Sequence, residues 1–330
     1  MILALTLALV LPPSVRAQGG PERDRAVSAF VEEMVARHGF TRSELDEAFG
    51  ASRSLPQILE LMKRGAEPRP WEDYRSIFVT PEKVEGGERF WSDNLAALEL
   101  AHRRYGVPEE IVTAVIGIET HYGRNRGRFK VLDALATLAF EYPRRGNEFR
   151  LELEHFLLLT REESLPLGSP VGSYAGAMGI AQFLPGSYRR YAVDFDGDGR
   201  RDLFENARDA IGSIANYLTA HGWQRDAPVA VPAEVSEAAA EPFHSGTLST
   251  RYLLSDLELL GVHAPGVHPV ATSAIPLTLK KRSGAEYWLG FDNFYVITRY
   301  NQSVYYAMAV HQLSEAIRSR RELGRSVVDP

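Results

Sequence analysis

The sequence of 330 residues is long enough to bury a substantial core, and it combines 45% hydrophobic and 24% charged residues with a formal net charge of -6 at pH 7. This charge excludes a basic surface of the kind that neutralises nucleic-acid phosphates, so no nucleic-acid partner is expected. The chain contains no cysteine, which excludes disulfides, thiolate metal ligands, a thiol nucleophile and a cysteine-linked lipid anchor.

Residues 1–17 have the pattern of a secretory signal peptide. MILALTLALVLPPSVRA is a short apolar run whose end, Val15-Arg16-Ala17, fits a small-x-small cleavage site, although the usual basic start is missing. The run is too short to span a bilayer. We therefore expect an exported, soluble protein without a stable membrane anchor, and a buried N-terminal strand is the alternative.

Hydrophobic spacing predicts a mainly helical first part of the chain. Apolar residues recur at helical intervals over residues 24–61, where Thr41-x-x-Glu44 has the form of a capping box. Further helical patterns cover residues 88–105 and 108–123, the latter with Pro108 at the first helical position and Gly123 at the end. Helices therefore dominate this part of the prediction.

The pattern changes after Trp223. APVAVPAEV, PVATSAIPLTL and EYWLGFDNFYVITRY contain β-branched and aromatic residues between glycines and prolines, which predicts a small β element. Residues 303–323 return to a helical pattern. The fold class is therefore predicted to be mainly α with a small β part.

The stretch VIGIETHYG places a carboxylate in an apolar helical stripe. Val112, Val115, Ile116 and Glu119 follow the i, i+3, i+4, i+7 spacing and so share one helix face. Burial there would disfavour the ionised carboxylate and raise its pKa toward the range of a general acid. The alternative is a structural glutamate that an arginine or a helix N-terminus satisfies.

A second stretch, GSYAGAMGIAQFLPGSY, is rich in small residues and is expected to lead into a short helix that stops near Pro185. Its glycines allow close backbone approach, and Ser173, Gln182 and Tyr188 add polar groups suited to a hydroxyl-rich ligand. Close packing of helices through small residues is the alternative explanation.

The segment DFDGDGRRDLFE fits the template of an EF-hand-like calcium loop. Asp194, Asp196 and Asp198 stand at positions 1, 3 and 5, with Gly199 at position 6. Position 7 would contribute a backbone carbonyl; positions 7, 9 and 12 are Arg200, Asp202 and Glu205. A solvated acidic turn without metal is the alternative.

Five long motifs, in this order, resemble the lytic murein transglycosylases of the membrane-bound lytic transglycosylase B type. They are VPEEIVTAVIGIETHYGR, LDALATLAFEYPRR, GSYAGAMGIAQFLPGSYRRYAVDFDGDG, DAIGSIANYLTAHGW and RYNQSVYYAMAV. The resemblance covers nearly the whole mature chain. It implies a lysozyme-like α+β fold, with a helical core and a small β subdomain.

The resemblance also implies the chemistry. Glu119 would protonate the β-1,4 glycosidic bond between N-acetylmuramic acid and N-acetylglucosamine, and would then accept the proton of the muramyl C6 hydroxyl. The product would be a 1,6-anhydro sugar formed without water. An intramolecular nucleophile removes the need for the second carboxylate that most glycosidases use.

The resemblance also assigns roles to further site residues. Ser173 and Gln182 would contact the sugar near the reacting centre, with Met178 and Phe183 shaping the wall. Arg144 and Arg145 could meet a substrate carboxylate. The remaining cleft positions are Tyr74, Tyr217, Tyr300, Asn301 and Tyr306.

For the cofactor, the resemblance implies one structural Ca²⁺, whose last ligand could be Glu205 or Asp209. The expected organisation is a leader, 1–17, and one catalytic domain, 18–330, made of a helical part (18–105), a lysozyme-like core (106–225) and a β element with a C-terminal helix (226–330). The expected partners are peptidoglycan glycan strands and other cell-wall enzymes, and the expected state is a monomer in the periplasm.

Three other functions remain open at this point. A hydrolytic muramidase of similar fold would need a second carboxylate, such as Asp133 or Glu141. An idle glycan-binding or scaffolding protein would keep the cleft without turnover. A calcium-dependent adhesion module would lose its partner when the metal is chelated.

Overall fold

The computed structural model describes residues 20–64, 69–236, 240–245, 247–265 and 272–328. The predicted leader, 1–17, lies outside these residues. The helices, in chain order, are α1 Pro21–His38, α2 Arg42–Ala51, α3 Pro56–Arg64, α4 Trp71–Phe78, α5 Pro81–Asp93, α6 Leu95–Tyr105, α7 Glu109–Thr120, α8 Val131–Glu141, α9 Gly146–Glu162, α10 Pro185–Tyr191, α11 Ala207–Ala220, α12 Glu241–Ser245, α13 Leu254–Leu259, α14 Asp292–Tyr300 and α15 Val304–Val328.

Two antiparallel sheets accompany the helices. A two-stranded sheet joins β1 to β2, and a five-stranded sheet has the order β4-β6-β7-β3-β5. In the larger sheet, the β6–β7 hairpin is closed by a hydrogen bond from the Lys281 N–H to the Gly284 carbonyl. The strands are β1 Phe129–Lys130, β2 Val171–Gly172, β3 Ala230–Val235, β4 Tyr252–Leu253, β5 Val262–His263, β6 Ser273–Lys280 and β7 Ala285–Gly290.

The main hydrophobic core surrounds α7. This helix packs against α5, α6, α11 and α15, and the side chains of Val112, Val115 and Ile116 are fully buried. A second, smaller cluster, which includes Phe243, lies under the larger sheet. The predicted apolar stripe of α7 therefore faces the centre of the helical core.

One local prediction is confirmed in detail. The Thr41 hydroxyl accepts a hydrogen bond from the Glu44 N–H at the start of α2, as expected of the N-terminal residue of a capping box. The C-terminal helix is also present, although it begins at Val304 and extends to Val328.

Two element predictions are wrong. A helix begins at Pro185 rather than stopping near it, because proline lacks an N–H and fits the first helical turn. The second half of EYWLGFDNFYVITRY is α14 rather than strand. Phe294 and Ile297 are both fully buried, and their i, i+3 spacing gives this segment a helical apolar face.

Among the described residues, no helix is both long and apolar enough to cross a membrane.

Candidate active site

Glu119 lies in the last turn of α7. The helix begins at Glu109, one residue later than predicted, and Pro108 is its N-cap. Glu109 and Glu110 in the first turn interact favourably with the positive end of the helix dipole. It ends at Thr120 rather than near Gly123, because the next residues take up left-handed backbone conformations. Glu119 therefore lies at the C-terminal end of a buried helix.

The Glu119 carboxyl is half-buried and accepts a hydrogen bond from the C-terminal helix. The hydroxyl of Tyr306, on α15, donates to Oε1 of Glu119 at 2.5 Å. Burial raises the pKa of Glu119 to about 7, and the Tyr306 hydrogen bond opposes this rise because it favours the charged form. A carboxyl group with a pKa near neutrality can donate a proton and later accept one.

Aromatic side chains surround this carboxyl. Tyr300 and Tyr306 stack with ring centroids 6.4 Å apart, and Tyr217 packs edge-on against Tyr300 at 5.0 Å. Burial, followed by the Glu119 charge, raises the pKa of Tyr74, Tyr300 and Tyr306. Three tyrosines from α4, α14 and α15 are thus brought to Glu119.

The hydroxyl groups of Tyr217 and Tyr300 form hydrogen bonds within the protein. The Tyr300 hydroxyl donates to the Ala181 carbonyl at 2.5 Å, and the Tyr217 hydroxyl donates to the Arg299 carbonyl at 2.6 Å. Phe183 packs against both rings, with centroid distances of 5.8 Å to Tyr300 and 5.4 Å to Tyr217. These contacts make Tyr217 and Tyr300 supports of the wall.

The loop from Gly172 to Leu184 forms the side of the site next to α7. Met178 and Phe183 exchange backbone hydrogen bonds and are buried, so they fix the loop. Ser173 and Gln182 remain half-exposed. The Ser173 hydroxyl accepts from the Ala175 and Ala177 N–H groups, and the Gln182 amide donates to the Gly179 carbonyl at 2.8 Å.

Gln182 is not on a helix, contrary to the sequence prediction. Its φ angle is 49°, in the left-handed region, and its N–H bonds back to the Gly179 carbonyl in a tight turn. Within the described residues, the side-chain amide nitrogen of Gln182 donates to the Gly179 and Arg126 carbonyls, while its side-chain carbonyl accepts no hydrogen bond.

Thr120 joins this loop to α7, a contact that the sequence analysis did not predict. Its hydroxyl donates to the Ile180 carbonyl at 3.1 Å and accepts from the Gly123 N–H at 2.9 Å. Because Thr120 follows Glu119 directly, these bonds fix the carboxyl relative to the loop that carries Gln182.

Other predicted residues lie at the surface. Arg145 is exposed, forms a salt bridge with Glu148 at 2.6 Å and lies over the Phe149 ring. Arg144 is exposed on the same turn before α9. Asn301 is exposed at the end of α14, next to Tyr300.

The two candidate second carboxylates have structural partners instead. Asp133 is buried and accepts a hydrogen bond from the Arg53 N–H at 3.1 Å. Glu141 pairs with Arg23 at 2.9 Å and accepts from the Ser54 hydroxyl at 2.8 Å. Both carboxylates therefore hold the first helices against α8.

The acidic loop brings three carboxylates together. Asp194, Asp196 and Asp209 each place an oxygen within 4.8 Å of the others, and Asp209 is fully buried. Burial raises the pKa of Asp209, and the nearby Asp196 and Asp194 charges add to this effect. Like charges at this separation repel, so the donor set fits a hard cation such as Ca²⁺.

The loop backbone is organised around the same carboxylates. Asp194 accepts hydrogen bonds from the Gly197 and Gly199 N–H groups at 2.7 and 2.8 Å. Glu205 instead points outward, is 75% exposed and pairs with Arg126 at 2.8 Å. Asp209, rather than Glu205, therefore stands with the cluster. The remaining predicted ligands, Asp198, Arg200 and Asp202, lie in the same loop outside this group of three.

Comparison with known proteins shows which family the chain belongs to. The family model described as "Transglycosylase SLT domain" matches residues 22–315. The chain is 44% identical over 298 residues to membrane-bound lytic murein transglycosylase B of Escherichia coli strain K12, covering 87% of this chain and 81% of the relative. The chain belongs to the lytic murein transglycosylases. The predicted family is confirmed.

Solved structures extend the likeness of this transglycosylase to the whole fold. The Escherichia coli lytic transglycosylase Slt35 in complex with calcium is 42% identical, with a TM-score of 0.85, and the match covers 93% of this chain and 96% of that one. SltB3 of Pseudomonas aeruginosa in complex with NAG-anhNAM-pentapeptide is 30% identical, with a TM-score of 0.81, 91% of this chain and 80% of that one being covered. The predicted lysozyme-like α+β class is confirmed.

Proposed function

We propose that Glu119 is the single acid and base of this peptidoglycan lytic transglycosylase, a carbon–oxygen lyase. The enzyme cleaves the β-1,4 bond between N-acetylmuramic acid and N-acetylglucosamine and forms a 1,6-anhydromuramyl end. The observation that supports the role of Glu119 most strongly is its half-buried carboxyl with a pKa of about 7 at the end of the apolar helix α7.

In the first step, protonated Glu119 gives its proton to the glycosidic oxygen while the bond from that oxygen to the muramyl C1 breaks. In the second step, the carboxylate accepts the proton of the muramyl C6 hydroxyl as its oxygen bonds to C1. The reaction consumes no water, because the C6 oxygen takes the place of the glycosidic oxygen on C1. Glu119 ends protonated, ready for another cycle.

A pKa near 7 suits both halves of this cycle. A much lower pKa would leave too little protonated Glu119 for the first step, whereas a much higher pKa would make the carboxyl reluctant to give up its proton. Burial sets the upward shift, and the Tyr306 hydrogen bond limits it. Tyr306 thus stabilises the carboxylate that exists between the two proton transfers.

The surrounding loop and rings provide the binding surface. We place Ser173 and Gln182 beside the sugar, Met178 and Phe183 behind it, and the tyrosines at positions 74, 217, 300 and 306 along its apolar faces. Asn301 would contribute its amide at the exposed end of this row. Arg144 and Arg145 would meet acidic substituents of the substrate at the rim, where Arg145 would exchange its Glu148 partner for the ligand.

The acidic loop is proposed to bind one structural calcium ion. Asp194, Asp196 and Asp209 would supply carboxylate oxygens, with Asp198, Asp202 and the Arg200 carbonyl as further candidates from the loop template. When bound, the ion would neutralise their mutual repulsion. The chemistry of the glycosidic bond would stay with Glu119.

The substrate also defines where the enzyme would act. Its proposed place is the periplasm, reached by export with the leader 1–17, and its proposed form is a monomeric catalytic domain over residues 18–330. Peptidoglycan glycan strands are the proposed binding partner, and other cell-wall enzymes are proposed as neighbours.

The test is mass spectrometry of soluble muropeptides released from peptidoglycan sacculi by the purified protein, by Glu119→Gln and by the control Glu99→Gln. Glu99 is exposed and pairs only loosely with Arg103, at 3.8 Å. We expect anhydro products from the native enzyme and the control, and none from Glu119→Gln. Anhydro products from Glu119→Gln at the native rate would refute the role of Glu119, whereas binding to sacculi without turnover by the native protein would support an idle glycan binder.

A further inference from the structure

Lys83, on α5, is tied to both sides of Glu119. Its ammonium group donates a hydrogen bond to the Gly117 carbonyl at 2.7 Å, within the last turn of α7. Its own backbone carbonyl accepts a hydrogen bond from the Tyr122 hydroxyl at 2.6 Å. Gly117 precedes Glu119 in the chain and Tyr122 follows it, so one residue of α5 holds both flanks.

The ring of Tyr122 fits between the two helices. A Cβ atom added at Gly117 would lie 2.6 Å from the Tyr122 hydroxyl oxygen, and one added at Gly86 would lie 2.7 Å from its ring. Real Cβ atoms do not approach other atoms so closely. The two glycines therefore make room for this ring, and the ring sets the spacing of α5 and α7.

The backbone after Glu119 is held in an unfavourable conformation. His121 and Tyr122 have φ angles of 50° and 61°, and neither is glycine. Consecutive side-chain-bearing residues in this region persist only where the surrounding contacts determine them, and such strain is concentrated at functional sites. Here the contacts include the Tyr122 hydroxyl bond to Lys83, the packing of the half-buried Tyr122 ring, and the hydrogen bond from the Tyr122 N–H to the Ile116 carbonyl at 3.3 Å.

Opposing effects act on the charge of Lys83. Burial lowers the pKa of its ammonium group, whereas the nearby Glu82 charge raises it. The C-terminal end of a helix carries partial negative charge, and a cation there is favourable. The Gly117 carbonyl already accepts the His121 N–H at 3.2 Å, so Lys83 adds a second donor at the point where α7 ends. Removing the ammonium would leave the Gly117 carbonyl with the His121 N–H as its remaining donor among the described residues.

We propose that Lys83 and Tyr122 form a positioning clamp that holds the last turn of α7, and thereby aims the Glu119 carboxyl at the glycosidic oxygen. The inference rests on the proposed role of Glu119. Neither clamp residue touches the substrate. Their effect is on the orientation of the acid, and a misplacement of about 1 Å is enough to slow an enzyme by about a hundredfold.

The test compares steady-state kinetics on soluble glycan fragments for Lys83→Gln, Lys83→Arg, Tyr122→Phe and the double variant Lys83→Gln/Tyr122→Phe. Lys63→Gln is the matched control, since Lys63 is exposed and pairs with Glu60 in its own helix at 2.8 Å. We expect kcat to fall about tenfold or more in Lys83→Gln and Tyr122→Phe, with KM changed less than about twofold.

Two further expected results separate positioning from general support. The double variant should lose little more activity than either single variant, because the residues act as one unit. Lys83→Arg should recover most of kcat, because it keeps a cationic donor. Tyr122→Phe keeps the ring and only removes the hydroxyl, so it decides the question even if the Lys83 variants fold poorly.

The proposal is overturned if folded Tyr122→Phe and Lys83→Gln keep native kcat, or if their losses appear in KM alone. A lower melting temperature with native kcat would identify a purely structural pair. Glu119→Gln is assayed in parallel. If it is inactive while the clamp variants keep native kcat, only the clamp is wrong, whereas activity in Glu119→Gln refutes the proposed function itself.

Discussion

Tyr306 and Glu119 lie 187 residues apart in sequence, yet the tyrosine hydroxyl donates a 2.5 Å hydrogen bond to the carboxyl oxygen. The contact joins α15 to the C-terminal end of α7, so the two helices together form the site. It is also the contact that opposes the effect of burial on the Glu119 pKa.

Tyr306→Phe should therefore change both rate and pH dependence. Losing a hydrogen bond to a charged group, worth about 1.5–3 kcal/mol, should lower kcat about 10- to 100-fold. The Glu119 pKa should rise, since the bond that lowers it is gone, and the alkaline limb of kcat/KM should move to higher pH. Tyr295→Phe, on α14 and away from this bond, is the control. An unchanged alkaline limb in Tyr306→Phe would show that the Tyr306 hydrogen bond does not lower the Glu119 pKa.

The raised pKa of Glu119 also predicts how stability depends on pH. The contribution of Glu119 to the free energy of unfolding is fully present below the ordinary glutamate pKa of 4.5. It is lost as the pH rises through about 7, because the folded state then has to hold a charge that is partly shielded from water. At pH 8, Glu119→Gln should unfold with a free energy on the order of 2 kcal/mol higher than the native enzyme, and near pH 4 the difference should vanish. Urea unfolding at both pH values measures this, with Glu99→Gln as the exposed control. An equal difference at both pH values would argue against a buried ionised carboxyl.

Calcium should stabilise the enzyme through Asp209. At a calcium concentration about a hundred times the dissociation constant, the gain should be about 2.7 kcal/mol, seen as a higher melting temperature that chelation reverses. Asp209→Asn should abolish this response. Glu205→Gln should retain it, because Glu205 pairs with Arg126 and stands outside the carboxylate group. A calcium response that is lost in Glu205→Gln and kept in Asp209→Asn would assign the closing ligand to Glu205. Loss of sacculus binding on chelation would favour the adhesion module.

Gly179→Ala should damage the loop beside Glu119. The φ angle of Gly179 is 70°, and an added Cβ would lie 2.3 Å from the backbone oxygen of Leu203, which cannot move like a side-chain tip. We expect a loss of stability of about 1–3 kcal/mol and a large loss of activity. The control is Gly50→Ala on α2, where nothing lies within 4 Å and the gain in helix propensity should raise stability by up to about 1 kcal/mol. Native stability and activity in Gly179→Ala would contradict the described loop geometry.

Local sequence patterns predicted those features that depend on near neighbours. The stripe of Val112, Val115 and Ile116 placed Glu119 on a buried face, and the Thr41 cap was confirmed. Prediction from local pattern failed at α14, where aromatic and β-branched residues favour a strand but burial of one helical face decides the structure.

Features that depend on distant contacts could not be derived from spacing. Tyr306 entered the site only through family resemblance, and nothing in the sequence near Lys83 indicates that it holds the end of α7. The closing carboxylate of the acidic loop likewise stayed open, because the twelve-residue template points to Glu205 while Asp209 reaches the cluster from the next helix. Three-dimensional packing decides each of these cases.

Isotope labelling identifies the nucleophile that attacks the muramyl C1: the native enzyme digests peptidoglycan in water enriched in ¹⁸O, and mass spectrometry then measures the new muramyl ends. If Glu119 directs the C6 hydroxyl to C1, the products will be one water lighter than reducing muropeptides and will carry no ¹⁸O. Reducing ends labelled with ¹⁸O would show that water is the nucleophile, and would contradict the single-carboxylate mechanism.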